Sequence, residues 1–293
     1  MIHLTTRISF ATAVFLLLLA RPITAQDGAR SGNMDAFFRD FTAEWVRGDP
    51  DLATSNRYFQ GEEQDRLERQ LTPRTDAYLR ARIQLARKGL TELRKFDRSR
   101  LTETQRISAD VMAWQLQTVA DEEPFLDYTF PLEQMNGVNV RVVETLTVRH
   151  PLLAVRDAEN YVAALGQVGT RLEEAITQSN RLAAKGVIPP KFILQATIQQ
   201  MQNFSDPSPA RNPFVTVLEE KMAAIKTMPE GKREELRAQA EKVVATQIYP
   251  VWKKATAVLE SQLPRSTDDA GLWRLKGGPE ASGPHGGDGE GTH

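Results

Sequence analysis

The sequence predicts an all-α protein, and three features carry that expectation. Apolar residues recur every three or four positions through most of the chain, the period of a helix with one buried face. Capping residues open the periodic segments, and Gly or Pro closes them. Neither a βαβ alternation nor a repeat of fixed period interrupts the pattern. The expected architecture is a multi-helix array of antiparallel helices, with one irregular excursion at about 122–151 and a disordered Gly-rich carboxy-terminal tail.

Residues 1–25 have the order of a cleaved secretory signal. Arg7 gives a basic start, an apolar run extends from Phe10 to Ala20, and "ITA" precedes a polar stretch. That run is too short to span a bilayer, which needs about 20 apolar residues. Cleavage is expected after Ala25. No cysteine follows the run, so a lipid anchor on a cysteine is not expected. The mature protein is then periplasmic or secreted, with no membrane association once the signal is removed. Residues 26–33 are expected as a flexible linker, 34–278 as the helical domain and 279–293 as the tail.

The first helical segment, "NMDAFFRDFTAEWVRGDP", places Met34, Phe37, Phe38, Phe41 and Trp45 on one face, with Asn33 as its cap and Gly48 and Pro50 as its end. The next starts with Thr72 as cap and Pro73 at the first helical position, and Tyr78, Leu79, Ile83, Leu90 and Leu93 form its apolar face. In "TETQRISADVMAWQLQTVADEE", Thr102 and Gln105 have the spacing of a capping box.

The rhythm then breaks. Pro124 and Pro131 disfavour a continuous helix, and Asn136-Gly137 signals a turn. "VNVRVV" has the composition of a short strand with no sheet to join, so the stretch reads as an ordered excursion across the surface or into a cleft. Helical pattern resumes at "RDAENYVAALGQVGTRLEEAITQSNRLAAKG", where Gly186 is the natural stop and Pro189 and Pro190 prevent continuation. "KFILQATIQQMQNF" follows as a short helix offering Phe192, Ile193 and Met201 for burial. "SDPSPARNP" is a connection, and a segment of about 34 residues with a kink at Pro250 comes last.

Composition narrows the function. Lys+Arg is 37 and Asp+Glu 38, so nothing marks a nucleic-acid partner. With no cysteine, disulfides, thiolate zinc sites and cysteine nucleophiles are excluded. His150, His285 and His293 are the histidines after the signal, and no two share a helical turn, so no H-E-x-x-H zinc motif exists. His150, before Pro151, reads as a helix-end packing residue. The pairs Glu122-Glu123, Glu173-Glu174 and Glu219-Glu220 diverge by about 100° on a helix and read as solvated faces. "GGDGEG" in the tail is a single degenerate copy of a calcium-repeat pattern and not a site. No residue of this chain is expected to be catalytic or to bind a metal. Gln134, Met135, Asn136 and Gly137 offer amides and a turn beside Tyr128 and Phe130, and stand as candidate cleft-lining residues.

Five stretches, in order, are "FPLEQMNGV", "HPLLAVRDAENYVAALGQV", "AAKGVIPPKFILQATIQQM", "NPF" and "IYPVWKKATAVLESQLPRSTDDAGLWRLKGG". Together they resemble the amino-terminal half of the bacterial "domain of unknown function 885" family, from about residue 34 to 278. The resemblance implies a mostly helical, often exported, zinc-peptidase-like protein. It also implies that the zinc ligands and the catalytic acid/base lie in a later His-Glu…Pro-Gly-His-His segment that this sequence lacks. Zinc is therefore expected only for the full-length family. The expectation is a chain cut short by a frameshift or premature stop, inactive alone, with peptides or a separate carboxy-terminal half as partners. The alternative is a stand-alone periplasmic helical module that binds a peptide or protein.

Overall fold

The computed structural model describes residues 28–274, with the side chains of 28–33 and of Leu272 left aside. The signal at 1–25 and the tail at 279–293 lie outside the described residues. All the regular structure described is helical, and no strand is present among these residues. The order is α1 Gly28–Arg47, α2 Pro50–Asn56, α3 Gly61–Glu68, α4 Asp76–Leu93, α5 Glu103–Asp121 and α6 Val138–Glu144. Then come α7 Val155–Leu165, α8 Val168–Ala184, α9 Lys191–Ser205, α10 Pro213–Ala223, α11 Glu230–Val243 and α12 Tyr249–Gln262. No described helix is long and apolar enough to cross a membrane.

α1 begins upstream of Asn33, so residues 28–33, expected as part of a linker, form its first turns. Met34 and Phe41 of its apolar face are buried, and Phe37, Phe38 and Trp45 pack beside them. Phe41, with Phe37, Phe38 and Trp45 beside it, joins Ala86 and Leu90 of α4 and Met112 and Leu116 of α5 in a small amino-terminal core. α5 carries the capping box as expected: Gln105 N–H donates to Thr102 Oγ1 and Thr102 N–H to Gln105 Oε1.

The start of α4 differs from the sequence reading. Thr75, not Thr72, caps the helix by accepting from Tyr78 N–H. Thr72 is buried instead in a lattice with two aspartates at the start of α2. Its hydroxyl donates to Asp49 Oδ1 at 2.6 Å and accepts from Asp51 N–H, while its own N–H donates to Asp51 Oδ1. Pro at a helix start is a weak locator when two threonines flank it, and long-range hydrogen bonds took the first.

The large core gathers α6 to α12. "VNVRVV" is helix, not strand: Val138, Val142 and Leu146 recur every four residues and are buried in that core. A π turn, Thr145–Arg149, continues α6, closed by His150 N–H donating to Thr145 O. The excursion at 122–151 therefore reduces to residues 129–137, between a 3-10 turn at Glu123–Tyr128 and α6, and to the start of a short irregular link at 150–154. Strand propensity of Val yielded to packing on one helical face.

The segment 155–184 divides at Gly166-Gln167 into α7 and α8. α8 ends as expected at Gly186, in the left-handed region at φ 82°. Val187 N–H donates to Leu182 O and Gly186 N–H to Ala183 O, the bond pair that satisfies a helix end. In α9, Met201 is buried, whereas Phe192 is 48% exposed; Leu194 and Ile198 fill the core in its place. Pro250 produces a π turn, Val244–Ile248, between α11 and α12. Tyr249 N–H reaches back five residues to Val244 O, and this register shift leaves Pro250 in the first turn of α12, where its missing N–H removes no bond. Trp252 locks α12 onto α9, donating from Nε1 to Met201 O and stacking on Phe204 at 4.1 Å.

Candidate functional site

Residues 129–137 leave the helical regime, and Gln134, Met135, Asn136 and Gly137 stand together at the end of that loop. Leu132, almost fully buried, and Val138 anchor it in the core. Val138 N–H donates to Pro131 O at 2.8 Å and closes the base of the turn. Glu133 organises the inside: its carboxylate accepts from the Met135 and Asn136 N–H groups, and its own N–H donates to Asn139 Oδ1. Asn139 Nδ2 donates to Gln200 Oε1 on α9, and Gln200 Nε2 returns to Gln134 O. Arg141 Nε donates to Asn136 O at 2.9 Å.

Gly137 is required by space. Its backbone is at an ordinary φ of -61°, but a Cβ there would strike Asn139 Oδ1 and the Glu133 backbone. Gln134 is half-buried, Met135 is 63% exposed and Asn136 is exposed. The four predicted residues thus form one pinned turn with a Met and an amide facing outward. Glu133, Asn139, Arg141 and Gln200, which hold it, were not identified from sequence. The signal available was slight: an acid four residues ahead of a Gly that opens a helix.

Two grooves lie elsewhere, in the amino-terminal unit. One of about 440 Å³ runs between α1 and α4 past Phe37, Phe41, Lys88 and Phe96. The other, about 530 Å³, lies between α4 and α5 and includes Leu93, Arg94, Leu101 and Trp114. The loop lines neither.

His150 is 1% exposed. Its Nδ1 lies 3.1 Å from Pro151 O and its Nε2 3.2 Å from Glu68 O, with the ring edge-on to Tyr161. Burial holds its pKa below the ordinary histidine value. Both nitrogens face carbonyls, so neither is directed at a metal position. Among the described residues no group of three or more His, Asp or Glu side chains is arranged to hold a metal ion. The described residues do not fit zinc. The acid pairs divide among cationic neighbours: Glu123 pairs with Arg80 and Arg87, Glu173 with Lys254, Glu174 with Arg171 and Glu219 with Arg237.

The fold and this loop define an all-helical protein with a hydrogen-bonded polar turn set between its helices. The chain belongs to the family described as "Bacterial protein of unknown function (DUF885)", which it matches over residues 50–288. A solved structure described as "the putative lipoprotein from Colwellia psychrerythraea" superposes with a TM-score of 0.69 at 17% identity. The match covers 84% of this chain and 45% of that one, so the chain spans less than half the length of that relative. No curated protein matches the chain.

Proposed function

We propose that this chain acts as the amino-terminal helical half of an exported zinc-peptidase-like protein, and that it does not hydrolyse peptides alone. The observation that carries this reading is the pairing of family membership with coverage of 45% of the solved relative. The zinc ligands and the catalytic acid/base implied by the resemblance belong, on this reading, to a second half outside this sequence. The pinned Gln134–Gly137 turn would form part of the wall of a peptide cleft completed by that second half. Export is supported by the basic, apolar and small-residue order of residues 1–25 and by the description of the relative as a lipoprotein. The test is peptide hydrolysis with added zinc, by the mature chain alone and after mixing with the second half of a full-length family member.

A further inference from the structure

The groove between α4 and α5, about 530 Å³, has the size of a small-molecule site set between helices. Its floor is apolar, with Met34, Leu90 and Ala109 all buried. Ala109 and Ala113 stand one turn apart on α5, and their small side chains leave the trough open. Trp114 stands at the rim with 66% of its surface exposed, a large aromatic left in water beside an apolar trough. Arg98, in the connection from α4 to α5, reaches Asp110 of α5 with two bonds of 2.7 and 2.9 Å and marks one end. Arg94, just past the end of α4, and Gln117 of α5 also line an adjoining depression, so they mark the other.

Among the described residues no carboxylate lines this groove. The nearby acids are engaged: Asp110 holds Arg98, Asp121 accepts from Gln117 Nε2 at 2.8 Å, and Glu123 pairs with Arg87 at 2.6 Å. The Arg94 guanidinium has no hydrogen-bond or ion-pair partner among the described residues. One unclaimed cation thus stands at the end of an apolar trough. The walls also offer little backbone to pair with. The N–H groups of α4 and α5 are used within the helices, and in the connection Phe96 N–H donates to Leu93 O and Leu101 N–H to Arg98 O. An extended peptide laid here would bury its own N–H and C=O groups without partners, whereas an acyl chain has none to bury.

We propose that this groove binds a single-chain fatty acid, with the acyl chain along Leu90, Ala109 and Ala113 beside Trp114 and the carboxylate on Arg94. A guanidinium fork matches a carboxylate with two parallel bonds. A trough with the Arg98–Asp110 pair at one end and a free cation at the other suits one apolar chain with one anionic head. Each methylene buried tightens binding by up to about fourfold. The site is separate from the Gln134–Gly137 turn and independent of the peptidase reading, because binding is measured without turnover.

The test is calorimetric titration of the full mature chain with octanoate, decanoate, decanol and decyltrimethylammonium, each as monomer. Decanoate is expected to bind about five- to fifteenfold more tightly than octanoate, for two further buried methylenes. It should bind about threefold or more tightly than decanol, and decyltrimethylammonium should bind more weakly than either, as an exposed ion pair with Arg94 requires. Arg94→Gln, a change at an exposed side chain, should abolish the preference for decanoate and leave decanol affinity as it was. Ala113→Phe, which fills the trough, should weaken decanoate and decanol alike. Trp114→Phe should remove the change in tryptophan emission on decanoate binding, which places the ligand at this groove without relying on the filled variant. No binding, equal affinity for octanoate and decanoate, equal affinity for decanoate and decanol, or a full preference for decanoate in Arg94→Gln would overturn the proposal. So would displacement of decanoate by an amphipathic helical peptide that binds more tightly, or a dimer of the chain that excludes decanoate, since either assigns the groove to another occupant.

Discussion

Arg57 Nη2 donates to Asp157 Oδ1 at 2.7 Å from a backbone position in the left-handed region, at φ 46°. It is the non-glycine residue with positive φ among those described. The same guanidinium lies 3.7 Å from Glu68 Oε1, and the Glu68 side chain has no solvent exposure. Gln64 and Asn160 complete the coordination of Glu68, and Arg69 donates to Asn160 Oδ1. Six polar side chains thus join the ends of α2 and α3 to α7 across almost a hundred residues of sequence. The strained backbone of Arg57 is what aims its guanidinium between two buried acids.

Arg57→Ala is therefore expected to cost about 2–4 kcal/mol, since it leaves Glu68 and Asp157 charged, enclosed and short of a cation. Denaturant unfolding of the variant against the wild type checks this. The reverse change, Asp157→Asn, should cost less, because an amide oxygen still accepts from the Leu153 and Ala154 N–H groups that Asp157 Oδ2 now caps.

Gly137→Ala is expected to destabilise the protein by about 1–3 kcal/mol through forced displacement of Glu133 and Asn139. The loss should be local at first. Hydrogen exchange at the Met135 and Asn136 amides, which donate to Glu133, should speed up before the core amides of α8 respond.

Asp51 gives a pH dependence of unusual sign. Burial beside Asp49 pushes its carboxyl from 3.8 up to about 6, against the opposing pull of Thr72 and Arg74. The folded state then holds this proton to higher pH than the unfolded state. Its contribution to stability is greatest below 3.8 and declines as pH rises toward 6. Asp51→Asn keeps an oxygen for Thr72 N–H and removes the charge. The variant should be more stable to denaturant than the wild type at pH 7, by on the order of 2 kcal/mol, and the gap should close near pH 4. An equal gap at both pH values would contradict the assignment.

Much of this architecture was legible in the sequence. The Thr102–Gln105 box and the Gly186 stop depend on contacts within a few residues, and both form as the spacing implied. The one-sided face of α1 likewise emerges, with Met34 and Phe41 inside. Errors arose where distant partners decided the outcome. Thr72 was lost as a cap because Asp49 and Asp51 claim it from over twenty residues away. "VNVRVV" became helix because a core built from α8 and α10 accepts every fourth residue. The Pro250 kink was anticipated, but its form as a π turn was not, since a one-residue register shift leaves no trace in periodicity over so short a span. The Gln134–Gly137 turn was identifiable from Asn136-Gly137, whereas its supports on α6 and α9 are visible only in three dimensions.

The central claim, that this chain is half of a peptide-hydrolysing fold, meets its most direct test in reconstitution. The mature chain is incubated with zinc and a quenched fluorescent peptide, alone and with the separately produced second half of a full-length family member. No chelator-sensitive turnover from the chain alone, and turnover restored on mixing in proportion to complex formed, is the expected result. Chelator-sensitive hydrolysis by the purified chain without a second half would contradict it.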